Sequence, residues 1–313
     1  MVVGGWRNPT LPEVIEYLTH SSNEIKANAC AYLQHLCYQD DSIKAETRLL
    51  GGIGKLVHLL QSDVADVHRN ACGALRNLSY GKTNDENKLD IRDKSGIPAL
   101  VRLLKRTHDE TVKESITAVL WNLSSCEEIK EPILYEGLAA LVKYIIVPYA
   151  KVDVLSGAPK VNGKGQQQQQ QRLLSNDCSN YPTVLTNATG VLRNCSSNLQ
   201  FSNCYEARKK LRECDGLIES LLLIVDQAVE PYLSDALQQR QHQQQMVNLD
   251  LVIKDNMNSK CVENCMCILR NLSFRLQEIN DPNYDRDVKP MPEIDETSMC
   301  SFLNLLFLFL KAL

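Results

Sequence analysis

One asparagine recurs at a fixed place in a short phrase. Leu75-Arg76-Asn77-Leu78-Ser79 returns as Leu120-Trp121-Asn122-Leu123-Ser124, as Leu192-Arg193-Asn194-Cys195-Ser196 and as Leu269-Arg270-Asn271-Leu272-Ser273. Leu33-Gln34-His35-Leu36-Cys37 is a degenerate first copy, with His35 in the asparagine's place. A carboxamide offers two donors and an acceptor, which suits gripping the backbone of an extended peptide whatever its side chains. Asparagine is a mediocre helix former, so its return in helical stretches is not chosen for propensity. Two uses compete: a ladder of amides that clamps a peptide, or bonds between neighbouring helices that hold a stack. Clamping is the expectation adopted.

Other chemistry is poorly supported. Asn77, Asn122, Asn194 and Asn271 each satisfy the Asn-x-Ser glycosylation sequon, but a glycan on every helix of a packed array is physically implausible, so the sequons are expected to be incidental to the phrase. Cys261, Cys265 and Cys267 have a spacing that fits no zinc pattern, and positions 265 and 267 fall on different faces of a helix. Gly51-Gly52-Ile53-Gly54-Lys55 resembles a phosphate loop, yet position 49 is leucine and no Ser or Thr follows Lys55; it reads better as a turn between helices. The six histidines are scattered, and no catalytic constellation can be assembled from motif spacing. Neither an enzyme nor a cofactor is expected.

The elements that must position these asparagines also repeat. Gly52-Ile53, Gly96-Ile97, Gly137-Leu138 and Gly216-Leu217 each open an apolar run, the first three glycines being 44 and 41 residues apart. A period in the low forties belongs to helical HEAT and armadillo units, which stack because one unit cannot bury its apolar face alone. From glycine to the following phrase asparagine the distances are 25, 26, 57 and 55 residues, so one kind of loop has been expanded in the last two units. Within one unit, Val112, Ile116, Val119, Leu120 and Leu123 fall on a single helical stripe with Asp109 placed to cap it. A second helix opens at Gly96-Ile97-Pro98 and a shorter third spans 127–135, which is the armadillo plan of short, middle and long helices.

The fold expected is all-α, a right-handed superhelical armadillo-repeat solenoid of about five repeats with two disordered loop insertions. Residues 1–10 form a lead-in and residues 11–149 the repeats up to the first part of the fourth. The first insertion, 150–181, contains Gln166 to Gln171; residues 182–228 resume the fourth and fifth repeats. The Gln-rich second insertion covers 229–257, the last long helix of repeat five 258–275, and an atypical end 276–313. Such polar tracts cannot bury enough apolar surface to order themselves. The apolar run from Met299 to Leu313 is too short for a membrane-spanning helix and reads as a truncated chain end rather than an anchor.

Composition narrows the partners. A formal net charge of -4 provides no global basic field for nucleic acid, and no transmembrane span is expected. Met1 to Trp6 lacks the charged and apolar regions of a secretory signal. The twelve cysteines are therefore expected as buried thiols in a reducing compartment.

Longer strings resemble one family. Trp6-Arg7-Asn8-Pro9, Ala31-Tyr32-Leu33-Gln34-His35-Leu36-Cys37, Asn70-Ala71-Cys72-Gly73-Ala74-Leu75-Arg76-Asn77 and Arg208-Lys209-Lys210-Leu211-Arg212-Glu213-Cys214-Asp215-Gly216-Leu217 are similar to the delta-catenin subfamily of armadillo proteins, which includes the plakophilins. The resemblance implies a non-enzymatic adaptor of cell-cell adhesion that binds the juxtamembrane segment of a cadherin cytoplasmic tail at adherens junctions. It also implies a link to Rho-family GTPase regulators, and cytoplasmic placement at junctions with a nuclear pool. Carried over by motif, the peptide contacts are Trp6, Arg7, Lys44, Asn77, Trp121 and Asn122. His35, Lys88, Asn194 and Asn271 extend that predicted set. An importin-alpha-like cargo receptor is the alternative, but its groove needs a tryptophan one turn before each asparagine. Those positions hold Gly73, Ala118, Gly190 and Cys267.

Overall fold

The computed structural model describes residues 8–151, 182–197, 204–228 and 260–273. Trp6, Arg7, nearly all of both insertions and the atypical end 276–313 lie outside the described residues. Every regular element among the described residues is helical. The chain divides into two compact units, one ending at Ile145 and the other beginning at Ile146.

In the first unit α1 (Leu11–Tyr17) and α2 (Asn23–Leu36) make a repeat without a short helix. A complete repeat follows as α3 (Asp41–Leu49), α4 (Gly52–Leu59) and α5 (Ala65–Ser79). The next is α6 (Asp85–Asp93), α7 (Gly96–Arg106) and α8 (Glu110–Ser124). A fourth opens with α9 (Glu127–Glu136), whose middle helix starts as α10 (Leu138–Leu141) and runs into a π-helical turn, Val142–Ile146. The long helices stack in chain order, α2 on α5 and α5 on α8. The second unit contains α11 (Val147–Ala150), α12 (Thr183–Ser196), α13 (Cys204–Arg212), a helix over 217–228 (α14) and α15 (Lys260–Ser273), with α12 packed on α15.

Local chemistry explains the boundaries. The Asp109 carboxylate accepts from the backbone N–H groups of Thr111 at 2.9 Å and Val112 at 3.3 Å, capping α8. Asp40 caps α3 through Ile43 N at 2.9 Å. The stripe Val112, Ile116, Val119, Leu120 and Leu123 is fully buried, as its spacing predicts.

The recurring Gly-Ile has a steric cause. A Cβ on Gly52 would stand 3.0 Å from the Thr47 carbonyl oxygen, on Gly96 2.5 Å from that of Ile91, and on Gly137 3.0 Å from that of Ile133. Each middle helix thus begins where the last turn of its short helix leaves no room for a side chain.

Between repeats, Arg69 reaches Asp66 and Asp109, each at 2.7 Å, and so ties the starts of α5 and α8. The Arg106 guanidinium donates to the carbonyls of Leu60 at 2.7 Å and Ser62 at 2.9 Å, and to Asp63 at 3.1 Å. Seven of the nine described thiols match the expectation of burial, while Cys214 and Cys267 are half-buried. Cys30, Cys37, Cys72, Cys126, Cys195, Cys261 and Cys265 are buried and unpaired by disulfide. Burial pushes Cys30 and Cys72 up to about 12.

Candidate functional site: an amide and lysine face

Asn77 and Asn122 occupy equivalent places in the last turns of α5 and α8, both half-buried. Asn77 donates through Nδ2 to the Gln34 carbonyl of α2 at 2.8 Å. Asn122 donates to the Arg76 carbonyl and to Ser79 Oγ of α5, both at 3.1 Å. In the second unit Asn271 donates to Ser196 Oγ at 3.0 Å, and Asn194 is half-buried on α12.

These bonds belong to the stack-holding use of the amides. They also give the phrase serine a use: Ser79 accepts from Asn122 and Ser196 from Asn271. The first copy has Cys37 where the others have serine, and Asn77 accordingly bonds a carbonyl alone. The Oδ1 atoms of Asn77, Asn122 and Asn271 accept no hydrogen bond from the described residues, so each retains an acceptor that a peptide N–H can use.

A second row of amides lies two turns earlier on the same helix faces. Asn70 donates to the Ala27 carbonyl at 3.1 Å, and Asn264, fully buried, donates to the Thr186 carbonyl and Thr189 Oγ1, both at 3.3 Å. Asn187 holds the matching place on α12 and Ser115 on α8. Sequence reasoning missed this row, although the signal was present as Asn-x6-Asn at 70/77, 187/194 and 264/271.

The lysines form a third row. Lys44 and Lys88 are each 2% exposed and Lys130 is 6% exposed, at matching places in α3, α6 and α9. Each pairs with the acid three residues before it: Lys44 with Asp41 at 2.8 Å, Lys88 with Asp85 at 2.8 Å and Lys130 with Glu127 at 2.6 Å. Lys44 Nζ also donates to the Tyr80 carbonyl at 3.1 Å, and Lys88 Nζ to Ser125 Oγ at 2.9 Å. Tyr80 and Ser125 end α5 and α8, where a cation is favourable to the helix dipole. An ammonium has three N–H donors, so one remains at Lys44 and at Lys88.

Burial makes these lysines braces as well as candidate ligand contacts, which their spacing alone did not show. Trp121 is half-buried beside Asn122, and His35 is exposed in the last turn of α2. The structure therefore places His35, Asn77, Trp121 and Asn122 in the last turns of successive stacked long helices. Lys44 and Lys88 meet the C-terminal ends of α5 and α8.

Asp41 carries a pH prediction. Hydrogen bonds from Lys44, Asn84 and Thr83 hold its carboxyl down to about 2. A depressed folded value means that its contribution is complete above the ordinary carboxylate range near ~4 and is lost as pH falls toward 2. Urea midpoints measured between pH 5 and 2 should fall less steeply in Asp41→Asn than in the parent protein. Identical acid limbs would refute the assignment.

Stacked three-helix repeats with an amide row on their long helices define an armadillo-repeat protein. The armadillo/beta-catenin-like repeat family matches residues 50–80 and 84–125. Catenin delta-2 of Homo sapiens is 45% identical over 272 residues, covering 87% of this chain and 19% of that protein. The "Juxtamembrane domain-associated catenin" of Caenorhabditis elegans is 39% identical over 280 residues, covering 90% and 19%. "Splicing regulator ARVCF" of Mus musculus is 40% identical over 289 residues, covering 92% and 26%. The chain belongs to the delta-catenin/plakophilin subfamily of armadillo-repeat proteins. It spans about a fifth to a quarter of the length of these relatives.

Among the described residues no single helix is long and apolar enough to cross a membrane, and no cluster of His, Cys, Asp or Glu could hold a metal ion.

Proposed function

We propose that this chain is a non-enzymatic adhesion adaptor whose stacked long helices bind an extended acidic peptide, the juxtamembrane segment of a cadherin cytoplasmic tail. The observation that carries the reading is the set Asn77, Asn122, Lys44 and Lys88, each fixed by one or two bonds yet, among the described residues, retaining a carboxamide oxygen or an ammonium N–H. Side chains held this way lose little freedom on binding. Amide oxygens suit the peptide's N–H groups, ammonium groups its carboxylates, and Trp121 an aromatic side chain. The name of the Caenorhabditis elegans relative, which refers to a juxtamembrane domain, agrees with this choice of peptide. Rho-family GTPase regulators are proposed as further partners, and the junctional cytoplasm, with a nuclear pool, as the location.

Calorimetric titration of a cadherin juxtamembrane peptide into the 313-residue protein should give micromolar or tighter affinity, about -8 kcal/mol. Trp121→Ala, which removes no stacking hydrogen bond of the ladder, should weaken it about tenfold, and Lys44→Met similarly, with helicity retained. Absence of binding by well-folded protein would reject the proposal.

A further inference from the structure

At the opposite end of the long helices lies a cleft of about 620 Å³ lined by Leu18, Thr19, Lys26, Gly54, Lys55, His58, Leu59, Gln61 and Ser62. Its size falls within the range of small-molecule sites. Buried Leu18 and Leu59 form an apolar part of the lining, Lys26, Lys55 and His58 supply basic groups, and no lining residue is acidic. The Asn77 rung is twelve residues from the start of α5, about 18 Å along the helix, so this cleft is separate from the amide and lysine face.

Its groups are held in place. Lys55 Nζ donates to the Ile15 carbonyl at 3.0 Å, and Lys26 Nζ to Asn23 Oδ1 at 3.1 Å. Among the described residues neither ammonium has a carboxylate partner, unlike Lys44 and Lys88. The turn carrying Gln61 and Ser62 is pinned by Arg106 through the Leu60 and Ser62 carbonyls and by His68 Nδ1 at 3.0 Å from the Ser62 carbonyl. Gly54 shapes the same wall. It sits inside α4, where glycine costs about 1 kcal/mol against alanine, yet a Cβ there would meet only the Lys94 methylenes at an ordinary 3.6 to 3.7 Å. The fold has no steric need for glycine at 54, and the missing side chain keeps the wall of the cleft low. It also brings Lys94 alongside.

We propose that this cleft binds a small phosphate ester, its phosphates paired with Lys26 and Lys55 and hydrogen-bonded by His58, Gln61 and Ser62. Two ammonium groups with no carboxylate partner among the described residues favour a multiply charged anion over a single carboxylate. The same chemistry could come from a soluble ester or from a lipid headgroup. Titration with inositol hexakisphosphate, and flotation with phosphatidylcholine vesicles carrying phosphatidylinositol 4,5-bisphosphate, separate the two sources. Binding of the soluble probe alone assigns a free ester, and binding of both a headgroup. Lys26→Glu and Gly54→Glu should each weaken binding at least tenfold while the circular dichroism spectrum is unchanged, and Lys82→Glu, an exposed charge outside the cleft, should not. Failure of the folded parent protein to bind either probe at low salt would overturn the proposal. So would an equal loss with Lys82→Glu.

Discussion

Replacing Gly96 by alanine is expected to destabilise the first unit by about 1–3 kcal/mol, the usual cost of overpacking. The new Cβ would lie 2.5 Å from both the carbonyl oxygen and the Cγ2 of Ile91. A long exposed side chain could swing aside, but this oxygen belongs to the backbone of α6, so relief requires the short and middle helices to part. Urea unfolding should show a lower midpoint with an unchanged slope, the signature of lost stability rather than an altered denatured state. Gly54→Ala is the internal comparison. Its Cβ meets only ordinary contacts, and the gain in helix propensity should leave it neutral or slightly more stable. Equal midpoints for the parent and Gly96→Ala would remove the steric account of the recurring Gly-Ile.

The second large effect is expected at Lys88. Lys88→Glu puts a carboxylate into a site 2% exposed, beside Asp85 and facing Ser125, whose hydroxyl now accepts from the ammonium at 2.9 Å. An uncompensated charge of this kind costs about 3 kcal/mol. Lys88→Met keeps the apolar stem and leaves Asp85, whose side chain is 57% exposed, free to turn to water. It should cost about 1 kcal/mol. Thermal melts rank the two variants directly. The contrast matters for the peptide assay, because a charge reversal that unfolds the repeat would mimic a lost ligand contact; methionine is the substitution that separates them. A Lys88→Glu protein as stable as Lys88→Met would show that the lysine is not a brace.

Much of this architecture is legible in the chain. The stripe from Val112 to Leu123, the cap at Asp109 and the Gly-Ile register all report local rules of helix geometry. Short-range acid and lysine pairs such as Asp41-x-x-Lys44 are equally readable. What cannot be read locally is the identity of a partner about forty residues away. Nothing about Asn122 announces that its Nδ2 meets a carbonyl of α5, and nothing about Lys88 announces that α8 ends over it. Spacing alone therefore cannot separate peptide clamping from stack-holding, because the two uses differ only in the bonds these amides make to distant residues. The Asn-x6-Asn spacing is a local signal of the second amide row, but it lies outside the more conspicuous phrase. The roles of Trp6 and Arg7, and the expected disorder of the insertions, concern residues beyond those described.

Four of the amide bonds in these rows end on main-chain oxygens, those of Ala27, Gln34, Arg76 and Thr186. Every amino acid supplies that acceptor, so at these bonds only the donor is written in side chains, whereas Ser79 and Ser196 add a side-chain acceptor at their junctions. A repeat can consequently drift at position 27, 34 or 76 without severing its tie to the next, provided the following asparagine stays. Grafting a repeat from another armadillo protein onto α8 should require matching the asparagine, its helix register and side-chain ties of the kind Lys88 makes to Ser125, but not the residues whose carbonyls accept.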